Sequence, residues 1–278
     1  MIDKNQEKHS AIYNFNVKSL KRGANRGYCR ICGKIADLTD DHIPPKSCGN
    51  KGRTSFTFGN KTIIMQNGFH CRTICTNCNN VLLGSDLDKE FKKFYDQAKE
   101  YKRMHSSIIF APINKIDVDA KKILRCILAH FLATNACHSE KTVEETLQTP
   151  LDQNIVYERY RQFVLSKTQS IENTDVYYWY YPFSNIVINP YFGCMTNAFT
   201  PMKKNLIGTL IKFFPIALFI LNRDRSDGIP RGNLFDCNSK AIALNFEHFL
   251  PKEYLERPLE NEAFVLNSNA VVNGNREL

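Results

Sequence analysis

The chain has 278 residues, 43% of them hydrophobic, and a formal net charge of +9 at pH 7. That is enough apolar material for one large or two modest cores. No apolar run approaches the roughly 18 uncharged residues of a membrane span; the longest candidate, Leu206 to Leu221, is interrupted by Lys212 and Pro215. Residues 1–103 hold 19 Lys and Arg against 10 Asp and Glu, whereas residues 104–278 are balanced. The whole excess therefore lies on the N-terminal segment, where it favours a polyanionic partner. Ten cysteines without a signal peptide fit a reducing compartment, so a cytoplasmic location with free thiols is expected.

Residues 1–25 are polar with sparse aromatics (Tyr13, Phe15) and are expected to form a basic arm that orders on nucleic acid, or else a short element packed on the domain. From residue 26 three signals follow in order. Cys29-x-x-Cys32 comes first, then the run Asp40-Asp41-His42-Ile43-Pro44-Pro45, then Cys75-x-x-Cys78 followed at once by Asn79 and Asn80. Two such cysteine pairs present four soft ligands, which suits a closed tetrahedral zinc site that holds the fold. The 42 residues between the pairs are more than a minimal zinc ribbon needs, so they form an insertion that carries reactive groups. Asp41 offers a hard anionic oxygen to a divalent cation, and His42 is largely neutral at pH 7 and able to accept a proton. Pro44 and Pro45 fix the exit of the chain. Lys18, Lys21, Arg22, Arg26, Arg30 and Lys34 crowd the first cysteine pair, and Lys51, Arg53 and Lys61 lie in the glycine-rich interval. All nine are candidate phosphate contacts.

Beyond the second cysteine pair the period becomes helical. Leu87, Phe91, Phe94, Tyr95, Ala98 and Tyr101 share one face, with Ser85 as the expected N-cap and Asp86, Asp88 and Glu90 in the first turn. A second helix is marked by Ala120, Ile123, Leu124, Ile127, Leu128, Phe131 and Leu132, with Cys126 and His130 beside the stripe; His130 reads as a core histidine. Thr142-x-x-Glu145 resembles a capping box, and residues 152–167 read as a fourth helix. After residue 174 the pattern is of strands: 176–181, 186–188, 216–220, 241–245 and 263–266. The aromatic run 176–181 reads as the packed face of an antiparallel sheet rather than a base-stacking platform. The expected class is α+β, with a zinc-stapled module at 26–103 and a mixed helical and antiparallel-sheet domain at 104–278.

The motifs C-x-x-C, D-H-I-x-P and C-x-x-C-N, spread over residues 26–95, resemble those of the HNH nucleases. These are the zinc-stapled branch of the ββα-metal, or His-Me finger, superfamily. The resemblance implies a metal-dependent endonuclease acting on DNA, in a setting such as restriction or anti-phage defence. His42 would match the general base and Asp41 a ligand of the catalytic metal. Asn79 would match the third motif position, with Asn80 as the alternative under a one-residue shift. The middle residue, which orients the base, is assigned to Asn67, with Asn60 and His70 as rivals. Oxygen ligands in place of a histidine suit Mg²⁺ or Mn²⁺. The domain at 104–278 is expected to select substrate, dock a protein partner or form a homodimer. The alternative reading is a zinc-stapled module, or complex subunit, that grips nucleic acid without cutting it.

Overall fold

The computed structural model describes residues 23–58, 61–105, 114–135, 143–151, 153–183, 186–196, 204–229, 233–244 and 271–274. The expected arm at 1–25 and the expected strand at 263–266 therefore lie wholly or almost wholly outside the described residues. The N-terminal unit is a three-stranded sheet, β1 (Arg26–Tyr28), β2 (Ile35–His42) and β5 (His70–Cys75), with β2 in the middle. β2 and β5 run antiparallel, and His42 lies opposite His70. Between Thr39 and Asp40 the register slips, leaving Thr73 without a partner across the ladder. Its buried hydroxyl donates instead to the Ala133 carbonyl at 2.5 Å.

The strand pair runs directly into a helix. Its first stretch, Asn77–Leu87, is wound as a π-helix and passes into α1 (Asp88–His105). The residues it buries are Cys78, Leu83 and Leu87, spaced five and four apart. That spacing fits the i→i+5 turn and would drift off one face of an α-helix. Ser85 consequently lies inside a continuing helix. It is not the N-cap expected for it, and its hydroxyl bonds back to the Val81 carbonyl. The predicted apolar face of α1 is buried throughout, and each such Leu or Phe contributes about 1.5–3 kcal/mol.

α2 (Ala120–Ala133) is capped by Asp119, whose carboxylate accepts from the Lys122 amide at 3.2 Å. Short α3 (Val143–Leu147) and α4 (Ile155–Val164) follow, the latter capped by Asn154. Thr142, half of the expected capping box, is outside the described residues. The strands of the C-terminal segment are β7 (Thr174–Tyr180), β8 (Ile186–Thr196), β9 (Lys204–Phe213), β10 (Ile216–Asn222) and β11 (Asn233–Leu234). They form an antiparallel sheet that continues through β13 (Val271–Gly274) into β3 (Thr54–Phe58) and β4 (Lys61–Met65). The insertion between the cysteine pairs thus supplies two strands of the large sheet. β12 (Ala241–Leu244) leaves that sheet and pairs with β6 (Asn114–Asp117).

Packing runs across the expected boundary at 103/104. One apolar core takes in Cys29, Ile74, Phe91, Phe131, Tyr178 and Ile211. Phe91 of α1 meets Phe213 edge-on at 5.6 Å, and Tyr95 meets Phe214 at 5.3 Å. β7 is buried on both faces: Tyr178 and Tyr180 join this core, whereas Tyr177 and Trp179 join a second cluster with Leu210 and Phe219. These rings pack within the protein and offer no platform for bases. Among the described residues no helix is long and apolar enough to cross a membrane.

Candidate functional site

The turn between β1 and β2, the end of β5 and the start of the π-helical stretch bring Cys29, Cys32, Cys75 and Cys78 together, with all four sulfurs within 4.8 Å of one another. Cys32 and Cys75 sulfurs are 3.8 Å apart, and the Cys75 amide donates to the Cys29 sulfur at 3.3 Å. Gly33 closes the first turn at φ +74°, and a Cβ there would press on Leu151 at 2.9 Å. The Cys78 thiol and three main-chain amides donate to Cys29 and hold it as a thiolate, with its pKa lowered to about 5. Burial and the charge on Cys29 push Cys32 up to about 11, and the bond to Cys29 together with burial pushes Cys78 up as well. One negative sulfur is thus tolerated, while Cys32 and Cys78 resist ionising. A soft divalent cation would remove that conflict, and four clustered thiols could hold a structural metal such as zinc.

His42 ends β2 half-exposed. Its Nε2 lies 3.2 Å from the Asn67 carbonyl. A carbonyl only accepts, so Nε2 carries the proton and Nδ1 keeps the lone pair. His70 stacks on the ring at 5.0 Å and is itself held by the Gly68 carbonyl at 3.0 Å. Burial, helped by His70 and Lys46, lowers the His42 pKa from its ordinary value. Asn67 therefore meets His42, through its main chain and not its carboxamide. Asn60, one rival, is outside the described residues, and His70, the other, is a ring neighbour.

The residue that shapes this loop escaped the sequence reading. Asn50 is completely buried, its amide donating to the carbonyls of Pro44 at 2.9 Å and Phe69 at 2.8 Å while its oxygen accepts from the Phe69 amide at 2.8 Å. It clamps the chain leaving His42 to the chain entering β5, and so sets where the Asn67 carbonyl sits. Gly68, at φ +75°, makes room: a Cβ there would lie 2.3 Å from the Asn50 oxygen. Asn50→Ala strands three buried main-chain groups and should cost roughly 3–5 kcal/mol in denaturant unfolding. Asn67→Ala keeps its carbonyl and should change stability by less than about 0.5 kcal/mol.

Asp41 and His42 point to opposite faces of β2, as neighbours on a strand do. Asp41 is buried, and its Oδ2 meets His130 Nδ1 at 2.9 Å. His130 Nε2 in turn meets Asp88 Oδ1 at 3.1 Å, and the Cys126 thiol donates to the same oxygen at 3.4 Å. Burial raises the Asp41 pKa against the pull of His130. Burial alone would lower His130, but Asp41, Cys126 and Asp88 outweigh it and hold the imidazole well above its ordinary range. His130 is the core histidine expected, yet it is also the partner of the predicted metal-ligand aspartate. Asn79 reaches β2 from the helix start, donating to the Thr39 hydroxyl at 3.0 Å and the Asp40 carbonyl at 2.9 Å. Its carboxamide oxygen has no partner among the described residues, and Asn80 is exposed.

The basic candidates divide. Arg30 is buried, its guanidinium donating to the carbonyls of Tyr28 at 3.1 Å and Thr149 at 2.8 Å. It is a strut between β1 and the α3 end, which corrects its assignment as a phosphate contact. Arg26 is exposed and pairs with Asp37 at 3.2 Å, a contact that releases easily. Lys34, Lys51 and Arg53 are exposed. Lys18, Lys21 and Arg22 lie outside the described residues, as does the side chain of Lys61. Lys46, exposed in the short 3₁₀ turn after β2 and near enough to bear on His42, was not singled out from sequence. Compared with protein-family models, curated proteins and solved structures, the chain matches none of them.

Proposed function

We propose that the chain is a metal-dependent endonuclease of HNH type acting on DNA, stapled by zinc at Cys29, Cys32, Cys75 and Cys78. The observation that carries this reading is the position of His42. It ends the first strand of an antiparallel pair that leads straight into a helix, neutral, with Nε2–H spent on the Asn67 carbonyl and the Nδ1 lone pair without a partner among the described residues. Nδ1 takes a proton from water, the water oxygen bonds to phosphorus, and the bond to the 3′ oxygen breaks. Lys46, Lys51 and Arg53 supply positive charge for the flanking phosphates.

The ligands this reading gives the Mg²⁺ or Mn²⁺ are Asp41 and Asn79, or Asn80; of these Asp41 fits the role poorly, being buried against His130 on the face of β2 opposite His42. The second oxygen of Asp41 and the carboxamide oxygen of Asn79 have no protein partner among the described residues, and hard oxygens suit either ion. When bound, the cation offsets the charge that builds on the phosphate and the leaving oxygen. A second reading, a module that grips nucleic acid without cutting it, is favoured by the capture of Asp41 by His130. Supercoiled plasmid incubated with pure protein separates the two. The nuclease reading expects nicked or linear product with Mg²⁺ or Mn²⁺ and none with chelator; a shifted but intact plasmid under every metal condition supports the binding module.

A further inference from the structure

We propose that Asp88, Cys126 and His130 bind a second, transition-metal ion, with Asp41 as the outer carboxylate that orients His130. The inference does not depend on cleavage activity. The three candidate ligand atoms, from α1 and from two positions one turn apart on α2, lie within 4.8 Å of one another. Asp88 Oδ1 lies 3.1 Å from His130 Nε2 and 3.4 Å from Cys126 Sγ. Bonds of about 2.0–2.3 Å to nitrogen, oxygen and sulfur give tetrahedral edges of about 3.3–3.5 Å, so the two edges from Asp88 need only a few tenths of an ångström of adjustment, and the third lies within 4.8 Å.

Both His130 nitrogens are aimed at carboxylate oxygens, Nδ1 at Asp41 and Nε2 at Asp88, with no solvent exposure. An ion on Nε2 leaves a neutral ring whose Nδ1–H donates to Asp41 Oδ2, the carboxylate–histidine–metal arrangement seen in many metal sites. The mixed nitrogen, sulfur and oxygen set selects Zn²⁺, Co²⁺ or Fe²⁺ over Mg²⁺. Three protein ligands leave a fourth position, and Asp88, whose side chain is 23% exposed, marks the side from which water reaches it. The ion would pin α1 to α2 directly behind β2.

The test is metal stoichiometry on the full chain, stripped with chelator, reloaded with Zn²⁺ or Co²⁺ and freed of excess by gel filtration. The expected result is two equivalents in the parent and one in both His130→Gln and Cys126→Ser. Asp41→Asn should keep the second equivalent but weaken it about 10–100-fold. One equivalent in the parent overturns the proposal, as do two equivalents in both variants. If either variant fails to fold, Co²⁺ titration of the parent decides. A second equivalent with mixed-ligand absorption, distinct from the tetrathiolate spectrum, supports the site, and saturation at one overturns it. Plasmid cleavage, scored separately, shows whether the nuclease reading stands or falls apart from this one.

Discussion

Replacing His42 with alanine should lower Mg²⁺- or Mn²⁺-dependent plasmid cleavage about 100- to 10,000-fold, the range that a positioned general base supplies. The effect should be kinetic. The ring is half-exposed, and its loss removes one bond to the Asn67 carbonyl and a stacking contact with His70, the latter worth about 0.5–1.5 kcal/mol. Thermal melting should therefore move by only a few degrees. Asn67→Ala should retain cleavage within a few-fold, because the carbonyl that orients the ring survives any side-chain change. Burial holds the His42 pKa below its ordinary value of 6.5, so the rate should stay flat through neutral pH and fall only on acidification below about 6.5. Undiminished cleavage by the alanine variant at saturating metal would refute the assignment of His42.

Cys75→Ser should remove the zinc equivalent of the four-thiol cluster and lower the melting temperature by about 10 °C or more. Structural zinc contributes on the order of 10–16 kcal/mol in small peptides. Here a continuous core shares the load, so several kcal/mol is the expected loss, and each kcal/mol moves the melting point of a chain this size by about 2–4 °C. Acid should act in the same direction. Metal-bound sulfurs are thiolates, so the folded state carries fewer protons than the unfolded one, and stability from this site falls as pH drops. Zinc release, followed with a chromophoric chelator, should track the loss of folded signal by circular dichroism. A Cys75→Ser protein with unchanged metal content and unchanged melting would remove the cluster from any structural role.

The geometry around β2 sorts two kinds of residue that look alike in one dimension. Asn50 and Asn67 are both asparagines of a glycine-rich interval, yet one is a buried clamp and the other an exposed turn residue that contributes a main-chain carbonyl. Arg30 lies within the first cysteine pair and Lys34 just after it, and only the lysine is left facing solvent.

Local pattern by itself determined a good deal of this protein. The cysteine pairs, the apolar faces of α1 and α2 and strands β7, β10 and β12 follow from spacings of two to four residues, which report directly on which side of an element is buried. Tertiary structure decided the rest. The π winding after Cys75, the entry of β3 and β4 into the large sheet, Asn50 as clamp and the meeting of Asp41, Asp88, Cys126 and His130 join residues far apart in the chain. Strand alternation turned Asp41 inward from His42, but only the docking of α2 behind β2 placed an imidazole there to receive it, and no periodicity within either element encodes that encounter.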